Sequence, residues 1–159
     1  MANKSKNVFI SHYNKDDESI NKLRDLLNKR GYTLKNSSVE GSRRGKKISD
    51  RTIERLLRLR IHWAGTFICL IGPNTHSRPW VNWEIEQAHR KNKRIIGVYI
   101  HGAKENSIVP KNLEKYGHGL TGMNSDKIID ALNGKDIGWC DTNDNPRIST
   151  NRLTRISCQ

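Results

Sequence analysis

Short apolar runs without polar alternation are the feature of this sequence that most restricts its fold. They cover residues 8–10, 66–71 and 95–100, with a weaker run at 32–34. A strand with one solvated face alternates apolar and polar side chains, whereas a strand buried on both faces reads as a continuous apolar run. The runs therefore predict a parallel sheet that is covered on both faces.

Segments with helical periodicity separate these runs. The first begins at Asn14, the second begins near Ser49, and the third begins at Ser77 as its N-cap. Pro79 is tolerated in the first turn of the third helix. The order β-α-β-α-β-α-β predicts a three-layer, doubly wound α/β fold of the flavodoxin-like kind, with a central parallel sheet flanked by helices. After residue 100 the pattern weakens, and only a short helix at 125–132 is predicted.

The chain has 159 residues, which is enough for one domain of ordinary size. We place that domain at residues 1–140. Residues 141–159 form a polar tail, and the sequence leaves open whether this tail packs, binds or moves. The formal net charge of +13 favours anionic partners, either polyanions or an anionic small ligand.

We expect a cytoplasmic protein without membrane contact. No stretch approaches the roughly 18 consecutive apolar residues of a membrane helix, and residues 1–6 lack the apolar core of a signal peptide. Cys69, Cys140 and Cys158 are widely spaced and form no CxxC motif. This pattern favours reduced thiols over a disulfide framework.

Several familiar site motifs are absent from the sequence. No GxGxxG follows the first predicted strand, and residues 41–47 are one residue short of a phosphate loop and lack its magnesium-binding Ser or Thr. The third strand ends at Gly72 and Pro73, where a receiver domain would carry an aspartate. The histidines have no HExxH spacing and no serine lies in GxSxG. We therefore predict no metal site.

One carboxylate lies on the apolar side of the third predicted helix. At about 100° per residue, Glu84 falls inside the apolar arc between Trp80 and Ile85, whereas Glu86 points to the opposite side. A dry, unpaired carboxylate costs several kcal/mol. Glu84 must therefore either pair with a cation or line a cleft, and the helix follows a strand-end loop, where ligands bind in sheets of this kind.

Two segments resemble the motifs of Toll/interleukin-1 receptor (TIR) domains. Residues 8–16, Val-Phe-Ile-Ser-His-Tyr-Asn-Lys-Asp, resemble their first-strand box, and residues 77–85, Ser-Arg-Pro-Trp-Val-Asn-Trp-Glu-Ile, resemble the Ser, Trp and Glu motif of their third helix. The His-Tyr pair and the Trp-Val-Asn-Trp-Glu run are most similar to the small TIR-like (ThsB-type) proteins of bacterial Thoeris antiphage systems. The resemblance covers about residues 5–102.

The resemblance implies an enzyme that consumes NAD. Known TIR enzymes split the nicotinamide–ribose bond, and bacterial ones often convert the remainder into a cyclic or otherwise linked ADP-ribose signal. Glu84 would then be the catalytic glutamate, NAD the substrate rather than a cofactor, and a separate effector protein the receiver of the product. The chemistry fits, since a carboxylate stabilises the oxocarbenium-like ribose left by departing nicotinamide.

Seven further residues are predicted to contact the substrate, because they lie at the exit of the first strand, in the loop before the third helix or on that helix: Ser11, His12, Tyr13, Asn74, Thr75, Trp80 and Trp83. Each has a structural alternative. The first three also suit packing at a helix entry, the loop pair suits turn capping, and one of the tryptophans suits the core.

The chain departs from familiar TIR domains at residues 37–49, which lack the acidic-proline-glycine loop used in self-association, and it lacks their later Phe-Trp motif. A homo-oligomer is still expected, but its mode of assembly stays open. One alternative function is therefore a TIR-type scaffold without turnover.

The other alternative is a basic nucleic-acid-binding module. Residues 43–60 carry eight basic and two acidic side chains, and residues 90–94 add four basic ones. Arg51, Arg55 and Arg58 are spaced as a solvent-facing stripe, and no aromatic side chains interleave with these charges to stack bases. We therefore consider nucleic acid a weaker candidate than NAD as the ligand of this chain.

Overall fold

Five strands form the centre of the protein in a computed structural model, which describes residues 4–13, 17–36, 51–100, 107–143 and 145–147. The strands are Lys4–Ser11 (β1), Tyr32–Asn36 (β2), Thr66–Ile71 (β3), Arg94–Tyr99 (β4) and Gly119–Thr121 (β5). The helices are Asp17–Asn28 (α1), Arg51–Trp63 (α2), Pro79–Arg90 (α3), Lys111–Tyr116 (α4) and Ser125–Leu132 (α5), with a 3₁₀ turn at Thr75–Ser77 before α3.

The sheet is parallel throughout, with the strand order β2-β1-β3-β4-β5. The predicted three-layer, flavodoxin-like α/β fold is therefore confirmed. In this order β2 lies on one side of β1, whereas β3, β4 and β5 follow on the other, so the topological switch point lies between β1 and β3. Ligands of doubly wound sheets bind beyond the carboxyl ends of the strands at such a switch point. The fold therefore places a ligand at the edge formed by the ends of β1 and β3 and the segments that follow them.

Successive residues of the central strands pack into two separate cores, one on each face of the sheet. Phe9 of β1 and Phe67 of β3 pack toward α2, α3 and α4, and their stacked rings have centroids 5.4 Å apart. Ile10 and Ile68, one residue further along, pack toward α1 and α5. All six residues of β3 are buried, which explains why this strand reads as an unbroken apolar run.

The start of α3 differs from the prediction in one residue. Ser77 was expected to cap the helix, but its Oγ donates a hydrogen bond to the Asn74 carbonyl (3.0 Å) and belongs to the preceding turn. Arg78 occupies the N-cap position without a side-chain capping bond, and Pro79 is the first helical residue. The proline fixes this start, because its ring favours the first turn and it has no N–H to satisfy.

The chain beyond residue 140 packs against the domain as far as it is described. The backbone N–H of Arg147 donates to the Trp139 carbonyl (2.9 Å), and the Arg147 guanidinium pairs with Glu114. Asp141 accepts from the backbone N–H groups of Asn143 and Asn145 (2.8 and 2.9 Å), and these bonds, led by that of Asn145, lower the pKa of its carboxyl group. Residues 148–159 of the predicted tail lie outside the described residues.

The structure bears on two predictions, the absence of membrane helices and the reduced state of the cysteines. No described helix combines the length and the apolarity needed to cross a membrane. Cys69 is a free and buried thiol, whereas Cys140 is disulfide-bonded. The expectation of reduced thiols is therefore confirmed for Cys69 and wrong for Cys140.

The Gly97→Ala substitution is expected to destabilise the fold by about 1–3 kcal/mol. A methyl group there would lie 2.6 Å from Leu120 Cδ1 and 2.7 Å from Leu113 Cδ2, so these two buried side chains would have to shift. The control is Gly65→Ala, whose methyl group would meet only the Asn7 carbonyl at 3.6 Å. Urea unfolding of both variants measures the difference, and equal stability of the two would contradict the packing described here.

Candidate active site

Glu84 is fully buried in the middle of α3. Its helical neighbours Val81 and Ile85 belong to the core between α3 and the sheet. Glu86, by contrast, is half-buried and pairs with Arg90 on the outer side of the helix (2.8 Å). The position of Glu84 within the apolar arc is therefore confirmed, and the carboxylate faces the sheet rather than solvent.

Cys69 of β3 shows which part of the sheet Glu84 faces. The thiol is buried, and its pKa is raised far above the ordinary value. Burial is the larger cause and the negative charge of Glu84 the smaller one. The thiol is accordingly neutral at physiological pH. This interaction places the carboxylate near β3, two residues before the strand ends at Ile71.

Ser11 lies on the same face of the sheet, at the end of β1. It is in register with Cys69, and because side chains alternate along a strand, it points to the same side as Phe9, which is the α3 side. Its hydroxyl is buried and has no hydrogen-bond partner among the described residues. A buried hydroxyl in this state is the kind of group that a bound ligand can satisfy.

His12 follows Ser11 and is almost fully buried. Its Nδ1 lies 3.1 Å from the Ile10 carbonyl, and since a carbonyl oxygen only accepts, this contact assigns a proton to Nδ1. The bond fixes the orientation of the imidazole at the exit of β1.

Tyr13 and Arg78 join the exit of β1 to the start of α3. The Arg78 guanidinium lies over the Tyr13 ring, 3.8 Å from its centroid, which is the geometry of a close cation–π contact. The Nε of Arg78 is buried and makes no hydrogen bond to a described residue. Sequence reasoning overlooked Arg78, although a basic residue directly before the helix-initiating Pro79 was visible in the sequence.

Asn74 and Thr75 form the turn between β3 and α3. Thr75 is buried, and its Oγ1 accepts a hydrogen bond from the backbone N–H of Gly72 (2.8 Å). Asn74 is exposed, and its carbonyl accepts the Ser77 hydroxyl. In this structure both residues hold the turn in shape, and their predicted contacts with a substrate stay predictions.

Trp80 and Trp83 are half-buried against the core on the α3 side of the sheet. Their rings meet edge to face with centroids 5.5 Å apart. Arg58 of α2 lies over the Trp83 ring at 5.5 Å from its centroid, and its Nε donates to Gln87 Oε1 (3.1 Å). Trp83 therefore faces α2, whereas Trp80, one turn before Glu84, lies nearer the start of the helix.

The structure thus brings one group of predicted residues together and separates another. Ser11 and Glu84 share the face of the sheet around Cys69, with Tyr13 and Arg78 at the carboxyl edge. Trp83 belongs to the contact between α2 and α3. Among the described residues, no three His, Cys, Asp or Glu side chains are grouped as metal ligands would be.

A family model described as "Thoeris protein ThsB, TIR-like domain" matches residues 9–105. The chain belongs to this family. A curated relative from Bacillus cereus (strain MSX-D12), named "Putative cyclic ADP-D-ribose synthase ThsB1", is 30% identical over 107 residues, which are 64% of this chain and 55% of the relative. The chain therefore spans about half the length of the curated relative that it matches.

Solved structures resemble this member of the ThsB TIR-like family only distantly. A Clostridium botulinum CMP N-glycosidase, BcmB, is 18% identical and has a TM-score of 0.49, with 80% of this chain and 99% of that chain covered. The TIR domains of the activated Roq1 resistosome are 20% identical with a TM-score of 0.41, and the match covers 59% of this chain and 57% of theirs. Both values are too low to carry an argument about function.

Proposed function

We propose that this ThsB-family chain cleaves the nicotinamide–ribose bond of NAD and joins the remaining ADP-ribose into a cyclic or otherwise linked nucleotide that activates a separate effector protein in antiphage defence. The observation that carries the proposal is the full burial of the Glu84 carboxylate on the α3 face of the sheet, beside the switch point between β1 and β3. The name of the Bacillus cereus relative supports the same chemistry.

The proposed role of Glu84 is electrostatic. When nicotinamide leaves as a neutral group, the ribose carbon becomes an oxocarbenium-like cation, and a carboxylate in a site with little water stabilises that charge more strongly than water would. Hydrogen bonds from the ribose hydroxyls to the same carboxylate would orient the sugar. This assigns Glu84 to the stabilisation of the transition state and requires no proton transfer from it.

Ring closure requires the adenine to reach the same ribose carbon before water does. Positioning two reacting groups within one site converts their encounter into an effectively intramolecular step, and apolar walls exclude competing water. Trp80, which is half-buried one turn before Glu84, is the proposed aromatic wall. The Ser11 hydroxyl is the proposed polar contact on the β1 side.

A direct test is to incubate the purified chain with NAD and to identify nicotinamide and the ADP-ribose product by mass. The same products should appear in phage-infected cells that express the chain, where any infection-dependent activation would operate. The proposal fails if neither setting releases nicotinamide above background. Self-association that depends on concentration, combined with such silence, would support the TIR-type scaffold instead. Cytoplasmic localisation stays a prediction.

The Arg78→Gln substitution is expected to raise the KM for NAD by about tenfold while changing kcat less than threefold. The cation lies at the N-terminus of α3, where a helix already favours negative charge. Its contact with Tyr13 holds it at the exit of β1. We therefore assign it to the diphosphate of NAD. Initial rates at varied NAD measure both constants.

The control for Arg78 is Arg90→Gln, which removes the same charge from the last turn of α3. Arg90 is exposed and pairs only on the outer side of the helix with Glu86, so its loss should leave the KM within twofold of the original. An equal rise of KM in both variants would mean that Arg78 acts only through the overall charge of the protein.

A further inference from the structure

A basic hollow lies between α2 and the turn after α3, and its lining does not include Glu84. It has a volume of about 540 Å³, within the range of about 300–1,000 Å³ that is typical of small-molecule sites. Seven residues of α2 and of the turn after α3 line it: Arg51, Glu54, Arg55, Arg58, Leu59, His62 and Lys91. We call this feature the α2 hollow.

The spacing of its basic residues on α2 is that of one helix face. Arg51, Arg55, Arg58 and His62 stand at i, i+4, i+7 and i+11, so their side chains form a row along the helix. Like charges three or four residues apart destabilise a helix by a few tenths of a kcal/mol per pair. Leu57 and Ile61 form the core side of α2, so burial in the core does not account for Arg51, Arg55 and His62, which are exposed.

The hollow combines one fixed cation with three that have no side-chain partner among the described residues. Arg58 is held by Glu54 (3.7 Å), by Gln87 and by the Trp83 ring. The side chains of Arg51, Arg55 and Lys91 make no ion pair or hydrogen bond within the described part of the chain. Four cations and one carboxylate give the lining a net charge of +3 with the histidine neutral.

We propose that the α2 hollow binds a small ligand that carries two or three linked phosphate groups, such as a nucleoside polyphosphate. Several guanidinium groups around one concave surface match successive phosphates by paired hydrogen bonds. Leu59, 63% exposed at the same hollow, offers an apolar contact to a sugar or base. This site is separate from the proposed NAD site and does not depend on it.

The residues that line the hollow favour a small phosphate ligand over a nucleic-acid strand. A groove for single-stranded nucleic acid follows the backbone and usually adds aromatic side chains on which bases stack. The α2 hollow is an open concavity, and its described lining contains no Phe, Tyr or Trp side chain. A strand of nucleic acid is therefore the alternative that the test must be able to detect.

The probes are inorganic triphosphate, ATP and a 20-nucleotide single-stranded DNA, each titrated calorimetrically at 50 and 150 mM salt. The test variant is the double substitution Arg51→Gln, Arg55→Gln, which removes two exposed cations of the hollow. The matched control combines Arg24→Gln on α1 with Lys29→Gln in the turn after α1, which lowers the total charge equally on the opposite face of the sheet. Arg78→Gln is a second control, because it removes the cation assigned to the diphosphate at the proposed NAD site and would reveal binding of these ligands there.

We expect triphosphate and ATP to bind the original chain, the double variant on α2 to lose at least tenfold in affinity, and both controls to stay within twofold. No binding of either phosphate ligand by the original chain would overturn the proposal. So would equal weakening by the α2 and α1 variants, which would indicate only general charge. If the DNA binds more tightly than ATP, and if the α2 variant loses this DNA binding, the ligand of the hollow is nucleic acid and the proposal of a small ligand is wrong.

Discussion

Replacing Glu84 with glutamine is expected to lower the rate of NAD cleavage by at least about 100-fold, the loss typical when an enzyme loses one group that stabilises transition-state charge. Glutamine has the same number of heavy atoms and still forms hydrogen bonds, so the packing around α3 can be retained. It cannot supply the negative charge opposite the developing cation. Initial rates of nicotinamide release, measured at saturating NAD, give the comparison.

The matched control for this prediction is Glu86→Gln, two residues further along the same helix. Glu86 faces outward and pairs with Arg90, and we expect its loss to change the rate less than twofold. Thermal unfolding of both variants separates catalysis from folding, because each melting temperature should stay within about 4 °C of the original. Full activity in the Glu84 variant would show that this residue takes no part in catalysis, and only the assignment of the fold would remain.

The position of Glu84 could be predicted because helical periodicity converts a sequence directly into faces. An apolar arc of Trp80, Val81 and Ile85 determines which side of α3 meets the sheet, and a carboxylate within that arc has nowhere else to lie. The same logic applies to β3, since a run of apolar side chains on both faces requires layers on both sides. Patterns over many residues were therefore sufficient for the architecture.

Features that depend on a few residues could not be predicted in this way. β5 has only three residues, and α4 has six, so neither is long enough to show a period. The strand exists because its neighbour β4 offers hydrogen bonds and because Leu120 fills the core beneath α4. These are tertiary causes, which local sequence does not reveal.

The contact between Arg78 and Tyr13 illustrates the same limit within the candidate site. The two residues are far apart in the sequence, and they meet because β1 and β3 are adjacent parallel strands whose carboxyl ends emerge side by side. The motif around residues 8–16 predicted Tyr13, and that around 77–85 contained Arg78 without giving it a role. Once the strand order is known, a cation at the start of α3 becomes a natural partner for an aromatic ring at the exit of β1.

The Phe67→Ala substitution is expected to lower the free energy of unfolding by about 3–5 kcal/mol. Phe67, the second residue of β3, is fully buried, and its ring stacks on that of Phe9 with an interplanar angle of 9°. Because small domains are stable by only about 5–15 kcal/mol in total, this single cavity would remove a large part of the stability. Urea unfolding with an unchanged m-value measures the effect.

Phe67→Leu is the graded control, because leucine refills most of the cavity but cannot stack on a ring, and it should cost clearly less than alanine. Combining Phe67→Leu with Phe9→Leu in a double-mutant cycle isolates the stacking itself, which we expect to contribute about 0.5–1.5 kcal/mol. A cost of alanine below about 1 kcal/mol would contradict the packing of β1 on β3. That result would also weaken the placement of Ser11 beside Cys69, because the same register of the two strands determines both contacts.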